Sequence, residues 1–312
     1  MSLLTITHFL LETSWIYPLM LLSTATMGAG FGIVLSLSNV YAYDLFKGRE
    51  DAAVTAVQII MGLGLVVGAP MLGVFIELEM WWGAPIFILL SLGGMMLWLF
   101  FLPLKLSIEL DDASEAQKGH LNMRLVLYAL LVFLYGASEA TFSTWSTTFL
   151  ELEQGYSTSQ AAFGLSIFWL TIAIGRVLFA FSVHRINAGL FYLISPITIA
   201  VSFLFLPFTK TLFLSYAALI LAGLGCSFFF PYSISRASAE NLHQTTFASG
   251  ILVASLQFGI GVSALVVGTL NDLDVISLPD LLSFSSVYAI GMTIIVVYLI
   301  RHRDDGVLPE RR

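Results

Sequence analysis

Apolar residues run along this chain in long blocks separated by short polar stretches. Nine blocks stand out, at 17–43, 53–76, 82–103, 123–149, 160–182, 188–208, 211–235, 246–270 and 281–300. Each is close to or above the ~20 apolar residues a helix needs to cross the hydrocarbon core. Several are rich in glycine, and all are followed by polar punctuation. They predict nine transmembrane helices. Residues 2–11 are apolar but too short to span. No basic stretch precedes them and no small-residue cleavage site follows, so they do not read as a signal peptide. The alternating pattern of a membrane β-barrel is absent.

Composition agrees with the pattern. Of 312 residues, 58% are hydrophobic and 11% charged, against about 25% charged in soluble domains. Mean hydropathy is +0.92. A soluble enzyme of this length could not cover its surface with so few charges. Disorder is excluded too, since it needs low hydrophobicity. One cysteine rules out a disulfide framework and a cysteine-built zinc site. A net charge of −7 argues against nucleic acid as a partner.

The few charges are sorted by side. With the C-terminus cytoplasmic, Lys47, Arg49, Lys105, Lys118, Arg124, Arg185, Arg236, Arg301, Arg303, Arg311 and Arg312 fall at or near the cytoplasmic face, as the positive-inside bias requires. Lys210 falls outside, with the acids Glu77, Glu79, Glu151, Glu153, Asp272, Asp274 and Asp280. Adding or removing one span would scramble this order. Nine spans with the C-terminus inside put the N-terminus outside.

An internal repeat accounts for the odd number. A shift of 195 residues carries Gly28 onto Gly223, Gly30 onto Gly225, Gly64 onto Gly259 and Gly73 onto Gly268. Spans one to three then overlie spans seven to nine, and spans four to six have no mate. Weak symmetry of this kind is a mark of transporters. The expected parent is six helices plus six, with three preceding residue 1. The organisation read from this is an incomplete N-terminal bundle at 1–103, a polar cytoplasmic linker at 104–122, a six-helix bundle at 123–300 and a cytoplasmic tail at 301–312.

Three motifs narrow the family. Span four reads YGASEATFSTWSTTFLE from Tyr135 to Glu151, span five SIFWLTIAIGR from Ser166 to Arg176, and span seven GLGCSFFFP from Gly223 to Pro231. Within a six-plus-six architecture they resemble the major facilitator superfamily, and in it the fucose permease-like branch of proton-coupled sugar symporters. The resemblance covers essentially the whole chain and implies an all-α polytopic fold of two pseudo-symmetric bundles, the first incomplete, with the nine spans equivalent to helices 4–12 of 12. The superfamily's basic signature loop between helices two and three would lie upstream. Its echo here is His184-Arg185, where Asp-Arg would be more usual. The antiporter signature of helix five is broken by Ala69, between Gly68 and Pro70.

Glu139 is the one acid deep within a span. An ionisable group at that depth is a functional hypothesis by default. Loss of water disfavours the charged carboxylate, which suits a group that loads and releases a proton. The alternative is a neutral Glu hydrogen-bonded for structure. Tyr135 lies one turn inward on the same face, Ser138 adjoins it, and Trp145 lies six residues outward. With Asn39 and Gln257 they form the expected substrate cavity; Gln58 reads as helix glue. Trp145 could instead be an interfacial anchor. Arg176 or Arg185 is expected to pair with Glu240 as a cytoplasmic latch in the outward-open state, the alternative being headgroup snorkelling. Gly28, Gly30, Gly32, Gly62, Gly64, Gly68 and Gly73 are expected to let helices approach closely. Pro70 and Pro231 permit bending.

No phosphate loop, metal-spaced cluster or Ser-His-Asp set is present, so neither catalytic residues nor a cofactor nor a metal is expected. The function expected is secondary active transport of a small polar solute, a sugar by the family resemblance, by alternating access with protons as the driving ion. The expected setting is a bacterial inner membrane, with lipid as surroundings and a monomer as the family state. Two other readings stay open: efflux of amphipathic compounds, and a truncated membrane protein that does not transport.

Overall fold

A computed structural model describes residues 16–45, 50–80, 82–101, 119–182, 187–241 and 244–302, with some side chains within 16–69, at 180–182 and at 245–246 outside the description. Every regular element among the described residues is helical. In chain order they are α1 (Ile16–Leu45), α2 (Glu50–Glu77), α3 (Gly83–Phe100), α4 (Met123–Thr148), α5 (Thr158–Ser182), α6 (Ala188–Phe205), α7 (Leu212–Cys226), α8 (Phe229–Glu240), α9 (Thr245–Asp272), α10 (Leu278–Phe284) and α11 (Ser286–Arg301). A π-helical turn at Phe149–Glu153 prolongs α4, and a 3-10 turn at Leu206–Phe208 ends α6.

Among the described residues, eight helical stretches are long and apolar enough to cross a membrane: Ile60–Glu77, Gly83–Phe100, Met123–Glu153, Thr158–Phe179, Ala188–Phe208, Leu212–Glu240, Phe247–Asp272 and Leu278–Arg301. The first expected span, 17–43, falls on the 30-residue helix α1. The all-α polytopic fold is therefore the one the apolar blocks predict. Two blocks differ in detail. The block 211–235 is two helices, α7 and α8, and the last block begins with the short helix α10 before α11.

The chain divides into two compact units, Met1–Glu115 and Ala116–Arg312. In the first, α2 packs against α1 and α3. Gly83 meets the Phe75 ring so closely that a Cβ there would stand 2.5 Å from it. Most of α3 is exposed, including Leu90, Met96, Leu97 and Phe100, an apolar surface of the kind lipid solvates. The glycines Gly28, Gly30, Gly64 and Gly68, expected to bring helices together, have open space around them: no atom lies within 4 Å of an added Cβ. Helix contact in this unit rests on other residues.

The second unit holds the core. The α4·α9 contact is the most extensive, and α5 packs on α7, α6 on α7 and α11, and α4 on α11. Tyr128, Tyr135, Tyr192, Phe142, Phe168, Phe203 and Phe229 are fully buried in it. Lipid tails are as apolar as these side chains, so close packing and hydrogen bonds must hold the helices together. Glycine supplies the first. A Cβ on Gly259 would lie 2.1 Å from the Phe133 carbonyl oxygen, and one on Gly136 2.4 Å from that of Leu256. The second comes from Thr141–Ser263 at 2.8 Å between α4 and α9, Tyr192–Ser233 at 2.8 Å between α6 and α8, and the Gln154 amide donating to the Thr209 carbonyl at 2.8 Å.

Candidate functional site

The site is built around a break in one helix. Pro231 has no N–H, so it cannot partner the carbonyl four residues earlier, that of Ser227. The chain leaves α7 at Cys226 and re-enters α8 at Phe229, and the carbonyls of Gly225, Cys226 and Ser227 turn to other helices. Ser195 Oγ on α6 donates to Gly225. The Tyr135 hydroxyl on α4 donates to Cys226 at 2.9 Å, and Arg176 Nε on α5 donates to Ser227 at 2.9 Å. Glycines make room for these approaches. A Cβ on Gly175 would stand 2.5 Å from Ser227 Cβ, and one on Gly223 2.7 Å from the Phe168 carbonyl oxygen.

Glu139 sits beside this break. It lies one turn outward of Tyr135 on α4, is half-buried, and interacts with the Tyr135 hydroxyl and, through space, with Arg176. The Cys226 thiol lies within electrostatic reach of both groups. The structure therefore gathers Glu139, Tyr135 and Arg176, which the sequence reading had put in separate roles, around one set of backbone carbonyls.

Tyr135 is completely buried, stacked on Phe229 with ring centroids 5.6 Å apart and on Phe230 at 6.1 Å. Its side chain faces packed protein, not an open cavity. The same holds for Ser138, fully buried with its hydroxyl donating to the Leu134 carbonyl at 2.9 Å and lying 3.9 Å from the Met292 sulfur. Trp145 is half-buried, with Gly268 of α9 under its ring: a Cβ there would come within 3.2 Å of it. Its indole N–H is buried and has no acceptor. Gln257 is exposed on α9. The side chain of Asn39 on α1 and the whole of Arg185 lie outside the described residues.

Of the expected cytoplasmic latch only the Arg176 arm falls on described residues, and it is not formed here. Arg176 is bound at Ser227, and the 12-residue helix α8 puts Glu240 about 18 Å further along the axis. The two do not meet. Glu240 pairs instead with Arg124 at 2.8 Å and Arg236 at 3.3 Å, and accepts the Tyr128 hydroxyl at 2.9 Å. Arg124 also donates to the His302 carbonyl. Asn122 caps α4 by accepting from Leu125 N–H and donates to Asn241 at 2.8 Å. Gln244 exchanges two hydrogen bonds with the backbone of His120. This network ties the start of α4, the end of α8 and the end of α11 together. Sequence reading missed it because Arg124 and Arg236 registered only as positive-inside charges. The sole local hint was the spacing of Arg236 and Glu240, four apart on a helix. Among the described residues no three His, Cys, Asp or Glu side chains cluster as metal ligands.

Comparison with known proteins follows the same lines. The family model described as Major Facilitator Superfamily matches residues 1–264. The glucose/mannose transporter GlcP of Bacillus subtilis is 19% identical over 307 residues, covering 94% of this chain and 75% of that protein. Among solved structures, the major facilitator transporter FucP in its outward conformation superposes with a TM-score of 0.65 at 16% identity, covering 95% of this chain and 79% of FucP.

Proposed function

Because this chain belongs to the major facilitator superfamily, whose members are membrane transporters and not enzymes, we propose that it carries a sugar-class solute across the membrane by alternating access, driven by protons bound at Glu139. Transport of a small molecule through a lipid bilayer comes with the family. The finer reading rests on one observation: a half-buried carboxyl at mid-span, beside a buried tyrosine and within electrostatic reach of an arginine. A charge there is costly, and a carboxyl that alternates between neutral and ionised forms avoids holding that cost through a whole cycle.

The solute class is supported by likeness to GlcP, named a glucose/mannose transporter, and by the shape of the outer part of α4. Trp145 offers an aromatic face and an N–H donor without an acceptor, the two features that a sugar ring and its hydroxyls can use. Gln257, exposed midway along α9, would need a polar partner within the hydrocarbon region, and a hydroxylated solute supplies one. The sorting of Lys and Arg supports a cytoplasmic C-terminus, and likeness to the Bacillus subtilis transporter supports a bacterial inner membrane. The protomer is proposed to act as a monomer.

The test is uptake of radiolabelled glucose, mannose and fucose into proteoliposomes holding an imposed proton gradient. Wild-type protein is expected to concentrate at least one of them, and Glu139→Gln to lose the gradient-driven component while keeping exchange of the same sugar. Full gradient-driven uptake in Glu139→Gln overturns the proton role. Absence of uptake of every sugar, with gradient-driven movement of an amphipathic cation instead, overturns the solute class.

A further inference from the structure

The Arg176 guanidinium is fixed at one end and open at the other. Its Nε donates to the Ser227 carbonyl at 2.9 Å, the carbonyl that Pro231 leaves without a helical partner. That bond sets where the head group lies. The terminal nitrogens Nη1 and Nη2 have no acceptor among the described residues. We propose that this open fork is a carboxylate subsite, and that it selects a sugar acid in preference to the neutral sugar of the same ring. The proposal rests on the reading of the chain as a carrier of sugar-class solutes and adds the charge of the solute.

The fork is reachable. Among the described residues, the buried side-chain nitrogens and oxygens without a partner are Trp145 Nε1, Ser146 Oγ and Arg236 Nε. Arg176 is half-buried and contributes none. Nor does it face the exposed apolar stripe of α5, which is Phe163, Leu170, Ile174 and Leu178. Two residues from Ile174 is more than half a helical turn, which puts Arg176 across the helix. The charge is also unmatched. Ser227 stands near the middle of the apolar stretch Leu212–Glu240, where a bare cation is costly. The end of α7 at Cys226 offers it about half a negative charge. No carboxylate supplies the rest: among the described residues Glu240 pairs with Arg124 and Arg236, and Arg176 has no such ion pair.

The chemistry of the fork narrows the ligand. Parallel N–H bonds from a guanidinium match the two oxygens of a carboxylate in shape as well as charge. A lone arginine balances the single charge of a carboxylate, and not the nearly double charge of a phosphate monoester. The neighbourhood asks for a ring beside the acid. Trp169 lies seven residues outward on the same face of α5, half-buried and edge-on to Phe168 with ring centroids 5.3 Å apart. Two turns of helix are about 10 Å. A long side chain leans back over the preceding turn, so the guanidinium points toward the indole. A solute with a carboxylate at one end and an apolar ring face at the other spans that gap; an inorganic anion does not.

The test is calorimetric titration of the purified full-length protein in detergent at fixed ionic strength. Glucose is compared with glucuronate, galactose with galacturonate, and glucose 6-phosphate with both acids. In at least one pair the acid is expected to bind about tenfold tighter or more, the worth of a charge-assisted bond, and the phosphate no tighter than the acid. Arg176→Met should bring the two Kd values of that pair together, and Arg176→Lys, with the charge but not the fork, should keep part of the difference. Equal or tighter binding of both neutral sugars by the wild-type protein overturns the proposal and leaves the sugar reading standing, even if neither variant folds. Tighter binding of the phosphate overturns the carboxylate. An acid preference that survives Arg176→Met overturns the role of the fork, and one that appears only in Glu139→Gln assigns the fork to that carboxyl instead. Binding of no member of either pair overturns the sugar reading and this proposal together.

Discussion

Glu240 and Glu139 show how two acids in one unit come to differ. Glu240 is surrounded by donors: two arginines and a tyrosine hydroxyl point at its oxygens. Its charge is matched, and its role is to hold helix ends together. Removing it leaves Arg236, only 9% exposed, without its carboxylate. Glu240→Ala is therefore expected to cost about 3 kcal/mol of stability, read as a fall in the thermal unfolding midpoint in detergent. Tyr128→Phe, which removes one hydroxyl from the same carboxylate, should cost about 1 kcal/mol. Glu139 takes no part in that network, whose donors go to Glu240; its proposed role is to exchange a proton. Glu139→Gln, nearly isosteric and neutral, is accordingly expected to leave the unfolding midpoint within about 0.5 kcal/mol of wild type while abolishing proton-driven uptake. Of the residues singled out from sequence, Glu139 could be picked by depth alone. Tyr135 and Ser138 were chosen for adjacency to it, and adjacency along a helix does not say whether a side chain meets solvent or a neighbouring helix.

At the scale of elements, what a glycine does depends on what faces it. Gly136, Gly223 and Gly259 of the second unit sit where helices touch, while Gly250 and Gly261 there face open space. Gly259→Ala drives a Cβ into the Phe133 carbonyl, 2.1 Å away. Backbone cannot yield as a flexible side chain does, so α4 and α9 must separate, at an expected cost of about 1–3 kcal/mol. Gly28→Ala meets nothing within 4 Å, and is expected to produce no loss. Thermal unfolding of the two variants in the same detergent compares them directly. Gly64, which the 195-residue shift carries onto Gly259, likewise meets nothing within 4 Å, so positions matched by the repeat do not share contacts. The helix break is also an element-scale feature. Its cause, Pro231, is visible in the sequence, and a bend there is expected. That Ser195, Tyr135 and Arg176 each take one of the exposed carbonyls is not, since they come from three helices separated by up to 60 residues of chain.

At the scale of the whole molecule, the sorting of charge predicts a cytoplasmic C-terminus. A fluorescent protein fused after Arg312 is expected to be bright in bacteria and a periplasm-dependent phosphatase fused there inactive; the reverse pair of results would invert the topology. The sequence by itself determined that this is a polytopic α-helical membrane protein with its helices in the right places. The reason is that hydrocarbon thickness imposes a length and a polarity on each span, and both are local properties of the chain. It also carried the superfamily, through motifs confined to single helices, and the position of the one deep acid. Tertiary structure alone decided the partners. It moved Arg176 from a cytoplasmic latch to the carbonyl of Ser227, gave Glu240 to Arg124 and Arg236, and sealed Tyr135 and Ser138 in the core. Which helices lie side by side, and which way each one is rotated, depends on close packing among residues distant in sequence, and no apolar block records that.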